Sequence, residues 1–124
     1  CDYEIATGNF VDETGFWVHP AHDWLGGSPD GLVGADGLVE IKCPGTLPER
    51  VPVHHRIQML VQIACTGRAW CDYFAWTHQG CFQSRVYPPK HGPSLRGLIV
   101  ALERFYNVYV VAGIEPPRKK RRKK

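Results

Sequence analysis

The segment from Gly31 to Gly45 constrains the fold more than any other. It holds two short apolar runs, Gly31-Leu32-Val33 and Leu38-Val39-Glu40-Ile41-Lys42-Cys43, joined by Gly34-Ala35-Asp36-Gly37 and ended by Pro44-Gly45. Asp-Gly between two strand-sized runs is a hairpin signal, so the runs lie side by side. Residues two apart on a strand share a face. Glu40 and Lys42 therefore project together, Ile41 projects to the opposite, buried side, and the hairpin brings Asp30 alongside. Two carboxylates and an ammonium gather on one surface.

The flanking elements can be read from pattern. Residues 1–6 look like the end of a helix or a connector, closed by Thr7-Gly8. Residues 15–19 read as a strand stopped by Pro20, and residues 25–33 as a bend entering a second strand. A loop at 46–52 precedes a helix over 53–66, with Ile57, Leu60, Val61 and Ala64 on its buried face and Gly67 at its stop. Residues 70–76 and 81–87 read as strands around His78-Gln79-Gly80. Ser94 caps a last helix, with Leu95, Leu98, Leu102, Phe105, Tyr106 and Tyr109 on its apolar side. The order predicts an α/β (α+β) fold, a central sheet with helices packed on it.

Composition sets outer limits. The 124 residues suit one domain, and 44% hydrophobic content supports a small core. No run approaches the roughly 18 apolar residues of a membrane span. Seven of the fifteen basic residues lie in Arg118–Lys124, so the rest carries eight against twelve acidic ones, about −4. We read residues 1–117 as the core and 118–124 as a disordered basic tail. The five cysteines include no CxxC pair, which argues for a reduced, intracellular chain and against zinc or an iron–sulfur cluster. The chain opens Cys1-Asp2-Tyr3-Glu4, without Met or a secretory pattern, and reads as a core cut on its N-terminal side.

The Asp30, Glu40 and Lys42 grouping has a chemical logic. Two carboxylates and a backbone carbonyl are hard oxygen ligands suited to Mg²⁺, which polarises a phosphoryl oxygen and acidifies bound water. A lysine beside them can hold or deprotonate the attacking water and offset charge building on phosphorus. Glu-Ile-Lys alone is ordinarily a solvated strand face. Ser28-Pro29-Asp30-Gly31 joined by a hairpin to Val39-Glu40-Ile41-Lys42-Cys43-Pro44 is far more specific.

With Gly26-Gly27 before it and Trp17-Val18-His19-Pro20 further upstream, this pair of motifs resembles the phage lambda-type exonuclease, or YqaJ-like viral recombinase, family of PD-(D/E)xK nucleases. Gln58 and Thr66-Gly67-Arg68, with the aromatic strand that follows, extend the likeness to nearly the whole chain before the tail. The resemblance implies a restriction-endonuclease-like core with a mixed central sheet flanked by helices. It implies a Mg²⁺-dependent DNA nuclease, for which Mn²⁺ can substitute, degrading double-stranded DNA with free ends from the 5′ end in viral or phage-type recombination. Asp30, Glu40 and the Ile41 carbonyl would hold metal and Lys42 would be the catalytic lysine. It also implies a trimeric homo-oligomer and a single-strand annealing protein as partner.

The family has glutamine in the helix near its site, and Gln58 occupies one such position. Leu60 stands where many relatives have a second glutamine, and Gln62, one turn along, is the candidate to replace it. His54, Gln58 and Gln62 at i, i+4 and i+8 form a polar stripe opposite the apolar face, with Ser28 as a further candidate. Two features depart from the family: its upstream glutamate-bearing helix, for which Glu4 lies too late, and its upstream basic residues for the 5′-phosphate. The alternative reading is thus a truncated or degenerate core that holds nucleic acid without cutting it. A structural metal protein using Cys and His is a third.

Other residues have ordinary readings beside functional ones. His19 and His22 could bind metal but suit a surface turn. Trp17, Trp24, Trp70 and Trp76 could stack on bases but suit packing. Arg56, Arg68 and Arg85 could touch phosphates but suit solvent. Cys43 reads as a buried small residue. The tail resembles a nuclear-import signal, with a DNA tether and an expression scar as rivals.

Overall fold

A computed structural model describes residues 2–88 and 95–105. Ser94, Tyr106, Tyr109 and the basic tail lie outside them. The first helix, α1 (Asp2–Thr7), ends at Gly8, whose φ of +74° suits glycine and whose N–H donates to the Glu4 carbonyl at 2.9 Å. Strand β1 (Val11–Asp12) follows, then β2 (Trp17–Val18), β3 (Gly26–Gly27), β4 (Gly31–Val33) and β5 (Gly37–Lys42). Helix α2 (Val53–Thr66) leads to β6 (Trp70–Thr77), β7 (Gly80–Val86) and α3 (Leu95–Phe105), which lies against α2.

The main sheet has the order β1-β4-β5-β6-β7. It is mixed: β5 and β6 run parallel, with α2 as their crossover, and the other neighbours are antiparallel. This is the expected mixed sheet flanked by helices. Gly34, at φ +57°, turns the chain between β4 and β5. Gly31 is required by close packing, because a Cβ there would collide with the Val11 side chain.

The two sheet faces carry separate apolar clusters, as strand alternation demands. On the α2 face Leu38, Cys71, Tyr73, Ala75 and Val86 pack with Met59 and Ile63. On the other face Val33, Val39 and Phe74 pack with Tyr3 of α1. Arg68 clasps the hairpin to the α2–β6 link, its Nη1 donating to the carbonyls of Gly34 at 2.9 Å and Gly37 at 3.1 Å.

Several expectations need correction. Of the two readings of residues 1–6 the structure takes the helix, as α1, whereas strand β1 is not among the expected elements. The strand expected over 15–19 shrinks to Trp17–Val18, which pairs with Gly26–Gly27 in a separate two-stranded sheet. Cys43 is exposed rather than buried, because it stands beyond the end of β5. The buried residues of α2 are Met59, Gln62, Ile63 and Cys65. Leu60, Val61 and Ala64 are half-buried and Ile57 is exposed. The apolar period is right and its phase is turned, because Gln62 faces a sheet carboxylate.

Candidate active site

Strand alternation and one tight hairpin build the site. Asp30 immediately precedes β4, and its N–H donates to the Val39 carbonyl at 3.1 Å, extending the β4–β5 ladder. Its Oδ2 accepts the Ile41 N–H at 2.6 Å. Within a strand the N–H and C=O of one residue point to the same side, so the Ile41 carbonyl is also turned toward Asp30.

Glu40 and Lys42 share the α2 face, as expected from their spacing. Glu40 is 3% exposed. Its Oε1 lies 3.1 Å from Lys42 Nζ, and its Oε2 accepts from Gln62 Nε2 at 3.0 Å. Burial pushes the Glu40 carboxyl above the ordinary carboxylate range; the Gln62 bond opposes this, Asp30 adds to it and Lys42 opposes it. Lys42 Nζ also donates to Gln58 Oε1 at 3.5 Å, at the outer end of the site.

Helix α2 runs antiparallel to β5 along this line, so Gln62 meets Glu40 and Gln58 meets Lys42. Gln62 is 1% exposed, and its Oε1 has no hydrogen-bond partner among the described residues. The Gln62 Cγ would stand 3.1 Å from a Cβ at Gly27, so the small residue of β3 makes room for it. Gln62 thus lies on the inward face of α2, not on a stripe opposite the apolar face. His54 is exposed and makes its ring contact with His55, at 4.1 Å between centroids. Ser28 is exposed, with no side-chain hydrogen bond among the described residues.

The oxygen donors available to a cation are the Asp30 and Glu40 carboxylates and the Ile41 carbonyl. Among the described residues no group of three His, Cys, Asp or Glu side chains converges. His19 and His22 lie 4.9 Å apart between ring centroids, without a third ligand among the described residues.

The family model of the YqaJ-like viral recombinase domain matches residues 1–69 of this sequence. The chain belongs to that family. An alkaline exonuclease, LHK-Exo from Laribacter hongkongensis, is 34% identical at a TM-score of 0.70, over 92% of this chain and 61% of that one. Its complex with dAMP gives 34% identity and a TM-score of 0.71, over 92% and 63%. The chain therefore spans about three-fifths of these relatives. SSO0001, at 14% identity and a TM-score of 0.56 over 76% of this chain and 43% of that one, shares the fold alone. No curated protein sequence matches. The mixed sheet is that of a restriction-endonuclease-like core.

His55, which the sequence pattern does not single out, shares a face of α2 with the two glutamines and bonds to Tyr73 at 3.0 Å. It lies at i, i+3 and i+7 with Gln58 and Gln62, as valid a helical stripe as the one through His54. Arg85 and Arg68 are engaged in the fold: Arg85 Nε donates to Asp72 at 2.7 Å and its guanidinium covers the Trp70 ring at 3.5 Å. Among the described residues no helix is long and apolar enough to cross a membrane.

Proposed function

We propose that this chain is the catalytic core of a Mg²⁺-dependent DNA nuclease, a 5′→3′ exonuclease acting on double-stranded DNA ends. The observation that carries the reading is the joining of Asp30, Glu40 and Lys42 at one end of the β4–β5 pair. The exonuclease named for the relative at 34% identity supports the reaction class.

The residues fit a hard divalent cation, with Asp30, Glu40 and the Ile41 carbonyl as its protein ligands. The orphaned buried acceptor on Gln62 fits a hydrated ion, whose waters donate hydrogen bonds. When bound, Mg²⁺ supplies Lewis-acid polarisation of the phosphate and an acidified water. Lys42 Nζ orients the attacking water and offers positive charge to the crowded phosphorus. Water oxygen bonds to phosphorus in line as the bond to the leaving oxygen breaks. Gln62 holds the Glu40 carboxylate, and Gln58 holds Lys42. Mn²⁺ is expected to substitute.

Incubation with 5′-phosphorylated linear duplex and with a covalently closed circle, in Mg²⁺ and in EDTA, tests this reading. Mg²⁺-dependent loss of the linear duplex alone is expected. Cutting of the circle contradicts the exonuclease reading. A folded chain that binds duplex yet leaves it intact in Mg²⁺ and Mn²⁺ would instead be a non-catalytic binding core.

A further inference from the structure

Tyr73 is 1% exposed, and its hydroxyl has one hydrogen-bond partner among the described residues, His55 Nδ1 at 3.0 Å. The two rings stack, with centroids 5.5 Å apart and planes 28° apart. Either group could donate in this bond, but burial decides which does. If Nδ1–H donated to the hydroxyl oxygen, the hydroxyl hydrogen would be buried without an acceptor, at a cost of a lost hydrogen bond. The hydroxyl therefore donates to Nδ1. Nδ1 must then be unprotonated, and the neutral ring carries its hydrogen on Nε2.

The surroundings of the ring agree. Burial lowers the His55 pKa, and His54 and then Lys42 lower it further, all favouring the neutral ring. Lys42 also acts on the Tyr73 hydroxyl, so both groups lie within reach of its charge. Because Nδ1 faces the buried hydroxyl, Nε2, on the opposite side of the ring, turns away from it, and the residue as a whole is only half-buried. His55 thus continues the polar line that Gln62 and Gln58 form along α2, one turn beyond Lys42.

We propose that His55 is a substrate-contacting residue whose Nε2–H donates to a non-bridging phosphate oxygen of the DNA strand beside Lys42, with Tyr73 as the positioning residue that fixes its tautomer. This rests on the nuclease reading and adds a phosphate donor to it. A neutral N–H suits this position, because it binds an anion beside Lys42 without placing a second positive charge there.

Ring ¹⁵N NMR of the full chain at neutral to mildly alkaline pH tests the tautomer. The expected result is Nε2–H for His55 in the wild type, with the signals moving toward a tautomer mixture in Tyr73→Phe. An Nδ1–H tautomer in the wild type overturns the proposal, whether or not the chain cuts DNA. Binding of 5′-phosphorylated duplex in Ca²⁺ provides the second arm, comparing wild type with His55→Phe and Tyr73→Phe. His55→Phe keeps a ring against Tyr73 and should weaken binding roughly tenfold, with Tyr73→Phe in between. Wild-type affinity in folded His55→Phe overturns the proposal and leaves the nuclease reading standing. A wild type that binds but does not cut in Mg²⁺ contradicts the nuclease reading and leaves the His55 comparison intact.

Discussion

A carboxylate as buried as Glu40 is costly unless its oxygens are bonded, and here each one is: Oε1 by Lys42 and Oε2 by Gln62. The Gln62→Leu variant keeps similar bulk but removes the donor. It should destabilise the fold by about 1–3 kcal/mol in urea unfolding. Unchanged stability would mean that Gln62 does not support the carboxylate. His55 gives a pH prediction. Its folded-state pKa is depressed, first by burial, so the unfolded chain takes up the proton more readily. Its stabilising contribution is complete above the ordinary histidine value of about 6.5 and is lost as pH falls below it. His19, also depressed by burial, acts in the same direction. Melting temperature should fall on acidification through this window, and less steeply in His55→Phe.

Among the elements, α1 is held to the sheet by a polar buried tie. Asp72 is fully buried; its Oδ2 accepts from Tyr3 at 2.6 Å, and both its oxygens accept from Arg85. In Asp72→Asn the charge partner of Arg85 is lost and the Tyr3 bond is weakened. Arg85 keeps access to water, which limits the cost. A loss of about 2 kcal/mol in denaturant unfolding is expected, and a neutral result would assign α1 docking to apolar packing alone. Nothing in the sequence around Tyr3 announces this, because the tie joins residues 69 positions apart. The β4–β5 hairpin, α2 and the β6–β7 pair are legible, since their signals are local: Asp-Gly, Gly67, and alternation. The phase of α2 is not. Periodicity cannot separate a wet glutamine from one turned inward to a carboxylate on another element, so the pattern puts Gln62 on the wrong face and favours His54 over His55.

For the whole molecule, the fold divides the described cysteines by access. Cys65 and Cys71 are buried, and burial raises both thiol pKa values, while Cys43 and Cys81 are exposed. A native-state thiol reagent should modify Cys43 and Cys81 quickly, and Cys65 and Cys71 only on unfolding. Mass spectrometry of the labelled peptides checks this; rapid labelling of Cys71 would contradict its burial in the sheet. The Asp30–Glu40–Lys42 grouping is legible because its members lie on one strand of a hairpin and immediately before the other. What depends on distant elements, such as Gln62, His55 and the Arg85 pairing, is not. On the proposed nuclease reading, a charge of about −4 outside the basic tail assigns any holding of DNA to local groups and a cation.

The most direct test of the central claim is single-turnover cleavage of 5′-phosphorylated duplex in Mg²⁺ by wild type and Lys42→Ala, both shown to be folded. Mg²⁺-dependent cleavage by the wild type is expected, with a loss of at least about 10²-fold in Lys42→Ala and the folded structure retained. Cleavage by Lys42→Ala at the wild-type rate would contradict that claim.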